Sequence, residues 1–207
     1  MVLVGVLLLS GFVLIAVESI GYTRGGYNSA FWRLPLDEKL DQVADHRWEW
    51  WWISIWSLVG LFTVSGGVFG LAALLADEGE PVLAYVALGG YVVAVLAWVF
   101  GVTVQAAAVS EASKQREESG VTPTWLHPFW NAAFLTELVW IVGSNVAYSL
   151  LGFSILQTGL VADWAGWIAL IGGALTAVVV LIVRNGFPQL GILIPAVLGV
   201  ALLMEAI

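Results

Sequence analysis

The sequence predicts an all-α integral membrane protein, a polytopic bundle of six transmembrane helices with one short amphipathic helix on the cytoplasmic surface. Of the 207 residues, 60% are hydrophobic and only 11% are charged, whereas soluble domains carry roughly a quarter charged residues. Apolar stretches long enough to cross a bilayer recur along the whole chain, and the seven Lys and Arg residues all fall on one predicted side of the membrane. This composition leaves too little polar surface for a water-facing globule, so the whole chain, 1–207, is predicted to form a single membrane domain.

The six spans are predicted from length and punctuation. A helix needs about 20 mostly apolar residues to cross the hydrocarbon core. The predicted spans are roughly 2–20, 48–76, 82–109, 128–157, 162–183 and 187–206. Polar segments separate them, and Pro81 suits the first turn of the third span. The first stretch lacks the basic start and cleavage site of a secretory signal, so it is interpreted as a retained span.

The basic residues predict the orientation. If the chain alternates sides, the linker 21–47, the loop 110–126 and the turn 184–187 lie together and contain every Lys and Arg. These basic residues are Arg24, Arg33, Lys39, Arg47, Lys114, Arg116 and Arg184. Short loops rich in Lys and Arg stay in the cytoplasm. We therefore expect a multi-pass protein of a prokaryotic plasma membrane, the inner membrane, with both termini outside the cytoplasm.

The linker is expected to contain a cytoplasmic surface helix at about 35–46. Leu36, Leu40 and Val43 fall on one side of that helix, and its other side is acidic. An acidic face repels anionic lipid, so the helix is predicted to pack on protein. Small residues at four-residue spacing in the fifth span, from Ala165 to Ala177, predict close helix packing.

The chain is tryptophan-rich, with twelve Trp, most of them near predicted membrane boundaries. Trp48, Trp52 and Trp56 recur every four residues and form a stripe suited to a quinone, a carotenoid or another flat lipophile. The ordinary alternative is a dense aromatic belt at the headgroup level. The adjoining segment 45–52 also raises the hypothesis of an interfacial lipid enzyme that uses His46, Arg47 and Glu49.

Glu137 is the most unusual polar residue of the predicted spans. It lies about ten residues into the fourth span, so its depth is ~15 Å. An acid at that depth is costly unless it is protonated, paired or hydrated. It is predicted to bind a proton, an ion or a polar ligand, or else to tie two helices together as a neutral acid. The expected companions are Ser144 and Tyr148 on its own face, with Gln105 and Asn145 as further neighbours.

Two other polar positions carry weaker expectations. Glu18 lies near the cytoplasmic end of the first span and is expected to be an interfacial acid paired with Arg24. His46 and His127 lie at the predicted mouths of two spans, as the ligands of a b-type haem would. However, His127 precedes Pro128, which favours a helix-cap position. No cofactor and no metal is therefore predicted, and haem b is kept as an alternative.

These patterns favour a non-catalytic membrane protein, either an accessory subunit of a membrane complex or a binder of a lipophilic ligand or partner. The sequence contains no cysteine, and we find no nucleophile motif, phosphate-binding loop or histidine-rich metal cluster in it. The net charge of −8 argues against a nucleic-acid partner. The expected partners are membrane lipids, other membrane subunits or a lipophilic small molecule. The alternatives are a proton- or cation-coupled transporter using Glu137, a haem protein, and a lipid enzyme.

Overall fold

A computed structural model describes residues 1–28, 30–183 and 190–207, with Leu190 and Gly191 described by their backbone alone. Within these residues the chain is helical and contains no strand. The helices are α1 (Val2–Val17), α2 (Ser19–Arg24), α3 (Leu36–Asp45), α4 (Arg47–Asp77), α5 (Pro81–Ser119), α6 (Leu126–Thr158), α7 (Asp163–Val183) and α8 (Leu190–Met204). A short 3-10 helix, Phe31–Arg33, precedes α3. The predicted all-α class is confirmed.

Five helical segments are long and apolar enough to cross a membrane, which is the pattern of a multi-pass membrane protein. They are Val2–Arg24 (α1 with α2), Arg47–Asp77, Pro81–Ser119, Leu126–Thr158 and Asp163–Val183. A shorter apolar helix, Ile192–Met204, follows. The predicted turn 184–187 with Arg184, and the predicted start of the sixth span, lie outside the described residues.

All the described Lys and Arg residues lie at one end of the bundle, here called the basic end although it also carries acidic residues. The opposite end, here called the acidic end, carries only acidic charged residues among those described. The basic end carries Arg24, Arg33, Lys39, Arg47, Lys114 and Arg116, and the acidic end carries Asp77, Glu78, Glu80, Asp163 and Glu205. Both chain termini lie at the acidic end, because α1 and α8 run antiparallel in close contact. A Cβ atom on Gly5 would lie 3.0 Å from the Gly199 carbonyl oxygen.

Glycines bring α1 and α4 into direct backbone contact. A Cβ atom on Gly11 would lie 2.9 Å from the Gly60 carbonyl oxygen, and one on Gly60 would lie 3.0 Å from the Gly11 carbonyl oxygen. Further along, a Cβ atom on Gly67 would lie 2.9 Å from the Leu8 nitrogen. Small residues allow this approach in a membrane, where dispersion contacts between backbones drive helix association. The α1–α4 pair is therefore packed too tightly for any side chain at these glycines.

The predicted row of small residues on α7 packs against α6. Ala165, Ala169, Gly173 and Ala177 are all buried. A Cβ atom on Gly173 would lie 3.1 Å from the Ser149 nitrogen. The second close helix pair is therefore built in the same way as the first.

Helix α5 extends farther than predicted. The third span was expected to end at 109, but the helix continues without a break to Ser119. Gly120 closes it in the left-handed conformation, with φ 74°. The polar segment 110–119 contains Ala, Glu, Lys, Gln and Arg, which are strong helix formers, so loss of hydrophobicity does not end the helix.

The linker folds over the basic end as a compact cap, here called the linker cap (residues 25–28 and 30–46). Its buried residues Tyr27, Phe31, Leu40 and Val43 form a hydrophobic cluster with Trp50 of α4. The Tyr27 hydroxyl donates to the His46 carbonyl oxygen at 2.9 Å. Burial, followed by the nearby carboxylates of Glu49 and Asp45, raises the pKa of Tyr27.

Charged contacts attach α3 to the extension of α5. Arg116 donates to both carboxylate oxygens of Asp41, at 2.5 and 2.8 Å, and these bonds lower the pKa of Asp41. The Lys39 ammonium lies 5.0 Å from the Trp130 ring centroid, and burial lowers the pKa of Lys39. Helix α3 therefore packs on its own protein, through an apolar face and a charged edge.

We expect Gly60→Ala to lower the thermal stability of the purified protein by about 1–3 kcal/mol, because the new methyl group would push α1 away from α4. Gly89→Ala on α5 is the matched control, since a Cβ atom there has no neighbour within 4 Å. Thermal unfolding in detergent, followed by circular dichroism, measures both. Equal stability of the two variants would contradict the proposed tight packing.

Candidate functional site

Three tryptophans of α4 form a continuous aromatic surface, here called the tryptophan ladder (Trp48, Trp52 and Trp56). The ring centroids of Trp48 and Trp52 lie 6.4 Å apart, and those of Trp52 and Trp56 lie 5.5 Å apart. Trp48 is 67% exposed, whereas Trp52 and Trp56 are half-buried. The ladder therefore begins as an open surface at the basic end and becomes partly covered deeper in the bundle.

A helix break holds the middle ring of the ladder in place. Helix α1 ends at Val17, and the Gly21 amide donates to the Glu18 carbonyl oxygen instead of continuing the pattern of α1. The Trp52 indole N–H donates to the Val17 carbonyl oxygen at 3.2 Å. This bond satisfies a carbonyl that the break deprives of its backbone partner. Trp52 is therefore both a ladder residue and a cap for α1.

A groove of about 180 Å³ lies between α2 and the ladder. This tryptophan groove is lined by Ile20, Gly21, Arg24, Trp48, Glu49 and Trp52. A Cβ atom on Gly21 would lie 2.9 Å from the Glu49 carbonyl oxygen, so the missing side chain lets α2 lie directly on α4. The groove thus combines two indole rings with one cationic and one anionic side chain.

The two charged residues of the groove are not paired with each other. Arg24 is exposed and Glu49 is half-buried. Among the residues that the structure describes, the ion pairs are Arg47 with Glu117 and Arg116 with Asp41. The guanidinium of Arg24 and the carboxylate of Glu49 therefore keep hydrogen-bonding capacity for a ligand.

Glu18 lies inside the bundle, contrary to the expectation of an interfacial acid. Its exposed fraction is 3%, and the Ser57 hydroxyl donates to its carboxylate. The expected partner, Arg24, lines the groove instead. The depth of Glu18 along α1 was estimated from the sequence, but the sequence did not predict which face of the helix carries Glu18. The glycine contacts between α1 and α4 turn Glu18 toward Ser57 and away from the surface.

Around Glu18 the structure has a small polar centre with aromatic walls. A cavity of about 10 Å³ is lined by Ile15, Glu18, Ser57, Leu61, Trp98, Trp140 and Ile192. The Trp98 and Trp140 ring centroids lie 6.1 Å apart. The cavity has room for about one water molecule. Residues Ser57, Trp98 and Trp140 were not recognised from the sequence. The acidic residue Glu18 within the first apolar stretch was the available signal.

Glu137 is half-buried on α6, and two of its expected companions make hydrogen bonds within their own helix. Seven residues along the helix, Ser144 donates to the Ile141 carbonyl oxygen at 3.3 Å. Asn145 donates to the same carbonyl oxygen at 2.8 Å. Both side chains are therefore engaged with their own helix. They lie about 10 Å or more along the helix from Glu137.

Two further companions lie at different levels of the bundle. Gly101 of α5 faces Thr136 of α6, and the two helices are antiparallel. By that register Gln105 lies about 7.5 Å along the bundle from the level of Glu137, toward the basic end. Tyr148 is fully buried, and its ring centroid lies 5.7 Å from that of Tyr91. Tyr148 therefore packs with Tyr91, and the site expected around Glu137 stays a prediction.

Tyr91 was not predicted, although it organises the polar part of the core on the acidic side of Trp140. Its hydroxyl lies 3.2 Å from the Ser65 hydroxyl, and its ring contacts that of Trp140 at 6.1 Å. In the described part of the chain the Asn145 side-chain oxygen has no hydrogen-bond partner. Tyr91 lies seven residues before Trp98, and that spacing on one helix face was the available signal.

The two histidines occupy different environments. His46 joins α3 to α4 and is half-buried, whereas His127 lies in the first turn of α6 and is exposed. Two axial haem ligands must face one cavity, and neither histidine lines the groove or the polar centre. Within the described residues no group of three or more His, Cys, Asp or Glu could hold a metal.

The residues suggested for an interfacial lipid enzyme have separate neighbours. Arg47 pairs with Glu117 at 3.2 Å. Glu49 lines the tryptophan groove, and the carbonyl of His46 accepts a bond from Tyr27. The Arg47 side chain is therefore paired away from the groove, and the bond described for His46 involves its backbone. Glu49 alone lines the groove.

We expect Ser57→Ala to destabilise the protein by about 1–3 kcal/mol, because it removes a donor to a buried carboxylate. Ser54→Ala is the matched control. Ser54 is also buried on α4 but donates within its own helix, to the Trp50 carbonyl oxygen at 3.1 Å. Its removal should change stability little. Thermal unfolding of both variants in one detergent provides the comparison, and a larger loss for Ser54→Ala would refute the assignment.

Comparison of the chain with protein-family models, with curated protein sequences and with solved structures finds no match.

Proposed function

We propose that this chain is a six-span protein of a prokaryotic plasma membrane that binds a flat lipophilic molecule at the tryptophan groove. It acts without catalysis, as a binding protein or as an accessory subunit of a membrane complex. The observation that carries the proposal is the groove of about 180 Å³ beside the tryptophan ladder. The groove combines an aromatic wall with polar side chains, as binding sites for lipophilic ligands do.

The sixth span and the orientation are supported by the arrangement of the ends. The N-terminal half of α1 packs on the C-terminal half of α8 at the acidic end, which is consistent with an even number of crossings. Each described Lys or Arg belongs to the opposite end. The positive-inside rule then places the basic end in the cytoplasm and both termini outside it.

The depth and surroundings of the groove also support a lipophilic ligand. Tryptophan is enriched at the headgroup level, where its ring is buried and its N–H is hydrated. Beyond the groove, the exposed residues Ile55, Val59 and Phe62 continue along the same helix. Their spacing of three to four residues keeps them on the face of α4 that carries Trp48. A hydrocarbon tail has a continuous apolar surface to follow.

The polar centre does not favour a transport function. Its cavity of about 10 Å³ has room for about one water molecule, which is too small for a transported solute. Glu18 and Ser57 therefore have a structural role in the proposed function. The alternative transporter would use Glu137, whose expected companions lie at other levels of α5 and α6.

We expect the gently extracted protein to retain a lipophilic molecule that Trp48→Ala releases. Trp48 is the suitable probe because Trp52 also caps α1. Trp167→Ala is the matched control, since Trp167 is 52% exposed but belongs to α7, near the acidic end. Absorption spectra and mass spectrometry of organic extracts identify and quantify the ligand. Retention that is equal in all three proteins would refute the proposal, as would a parent protein that neither retains nor binds a lipophilic molecule.

We expect the two ends to react from opposite sides of the membrane. The chain has no cysteine, so a single introduced cysteine is the only thiol of the protein that a maleimide can label. In right-side-out membranes, a maleimide that cannot cross the bilayer should label Asp77→Cys and Glu205→Cys. It should label Lys114→Cys and Glu38→Cys only after the membranes are permeabilised. Labelling of Lys114→Cys in intact membranes would overturn the orientation.

A further inference from the structure

The charges of the tryptophan groove restrict the ligands that fit it. Arg24 supplies hydrogen-bond donors, and the carboxylate of Glu49 supplies acceptors. A head group with a net charge of either sign would meet one attractive and one repulsive group. The groove is therefore matched to a neutral head group that accepts a hydrogen bond at one edge and donates one at another.

The aromatic wall restricts the shape of that head group. The Trp48 and Trp52 rings are inclined by 55°, so they form an angled surface rather than a parallel stack. Aromatic rings gain stability in offset or inclined arrangements with centroids about 4.5–7 Å apart. A flat ring in the groove would lie against the two indoles that line it, whereas a flexible glycerol head group would gain little from them.

The apolar surface of α4 restricts the rest of the molecule. The face that carries Trp48 continues through exposed Ile55, Val59 and Phe62 toward the bundle midpoint. A single long hydrocarbon chain attached to the ring would lie along this face. The ligand class is then a neutral aromatic ring with hydroxyl groups and one lipid tail.

Resting on the proposed function, we infer that the tryptophan groove binds a lipid-tailed hydroquinone, with Glu49 accepting from one ring hydroxyl and Arg24 donating to the other ring oxygen. The oxidised quinone has acceptors but no hydroxyl donor, so the carboxylate of Glu49 discriminates against it. Ring contacts with the indoles therefore stabilise both the quinol and the quinone, whereas the hydrogen bond to Glu49 stabilises the quinol alone. No electron transfer is part of this inference.

Binding of a short-tailed ubiquinol analogue and of its oxidised form tests the inference. The full chain is purified in detergent, and bound ligand is measured by equilibrium dialysis under anaerobic conditions. The parent protein should bind the quinol more tightly than the quinone. Glu49→Gln should weaken quinol binding by about tenfold and reduce the preference, because a charged acceptor is lost. Arg24→Gln should weaken both forms.

Matched controls separate local from general charge effects. Glu38→Gln and Arg33→Gln remove exposed charges at the same end of the bundle but outside the groove, and should leave both affinities unchanged. Arg24→Lys keeps the charge but loses the planar donor fork, so it should bind more weakly than the parent. Gel filtration and circular dichroism confirm that each variant is folded.

The outcomes distinguish this inference from the proposed function. Equal quinol affinity in the parent and in Glu49→Gln, or a preference for the quinone, would overturn the inference. Retention of another lipophile, such as a phospholipid or a carotenoid, that Trp48→Ala releases would overturn it as well while the proposed function stood. A parent protein that retains nothing and binds neither form would overturn both.

Discussion

The close approach of α1 to α4 is the contact on which the other features depend. Where Gly11 and Gly60 meet, each backbone lies against the other, and a lipid environment supplies no hydrophobic force to replace lost dispersion contacts. The same contact turns Glu18 toward Ser57 and brings α2 onto the first turns of α4. The polar centre and the tryptophan groove are thus two sides of one helix pair.

The basic end shows how a polar segment is ordered without crossing the bilayer. Helix α5 is 39 residues long, and at 1.5 Å per residue its length is about 58 Å, far more than the hydrocarbon thickness of about 30 Å. Its extension supplies Arg116 and a surface for α3. The linker cap then covers the ends of three helices, which leaves the ladder face of α4 open beside it.

Much of the architecture was predictable because bilayer thickness and apolar length are tightly linked. The positions of α4, α6 and α7 follow from hydropathy, and the buried row on α7 follows from small-residue spacing. The end of α5 was missed because helix formation there depends on propensity rather than on hydrophobicity. The expectation for Glu18 was wrong for a different reason, since its burial depends on how α1 rotates against α4.

The sequence predicted the tryptophan ladder of the candidate site but not the groove beside it. The four-residue spacing of the ladder is a property of one helix, so it could be read directly. The groove between the ladder and Arg24 of α2 lies between two helices. It depends on Gly21 and on the helix break after Val17. The companions expected for Glu137 depend on the same kind of contact, because side chains on one helix face can still lie two turns apart.

The bond from Trp52 to Val17 also links the groove to the end of α1. The indole ring lines the groove, while its nitrogen donates to the residue that precedes the buried acid Glu18. A ligand that displaced this ring would therefore also remove the hydrogen bond that caps α1.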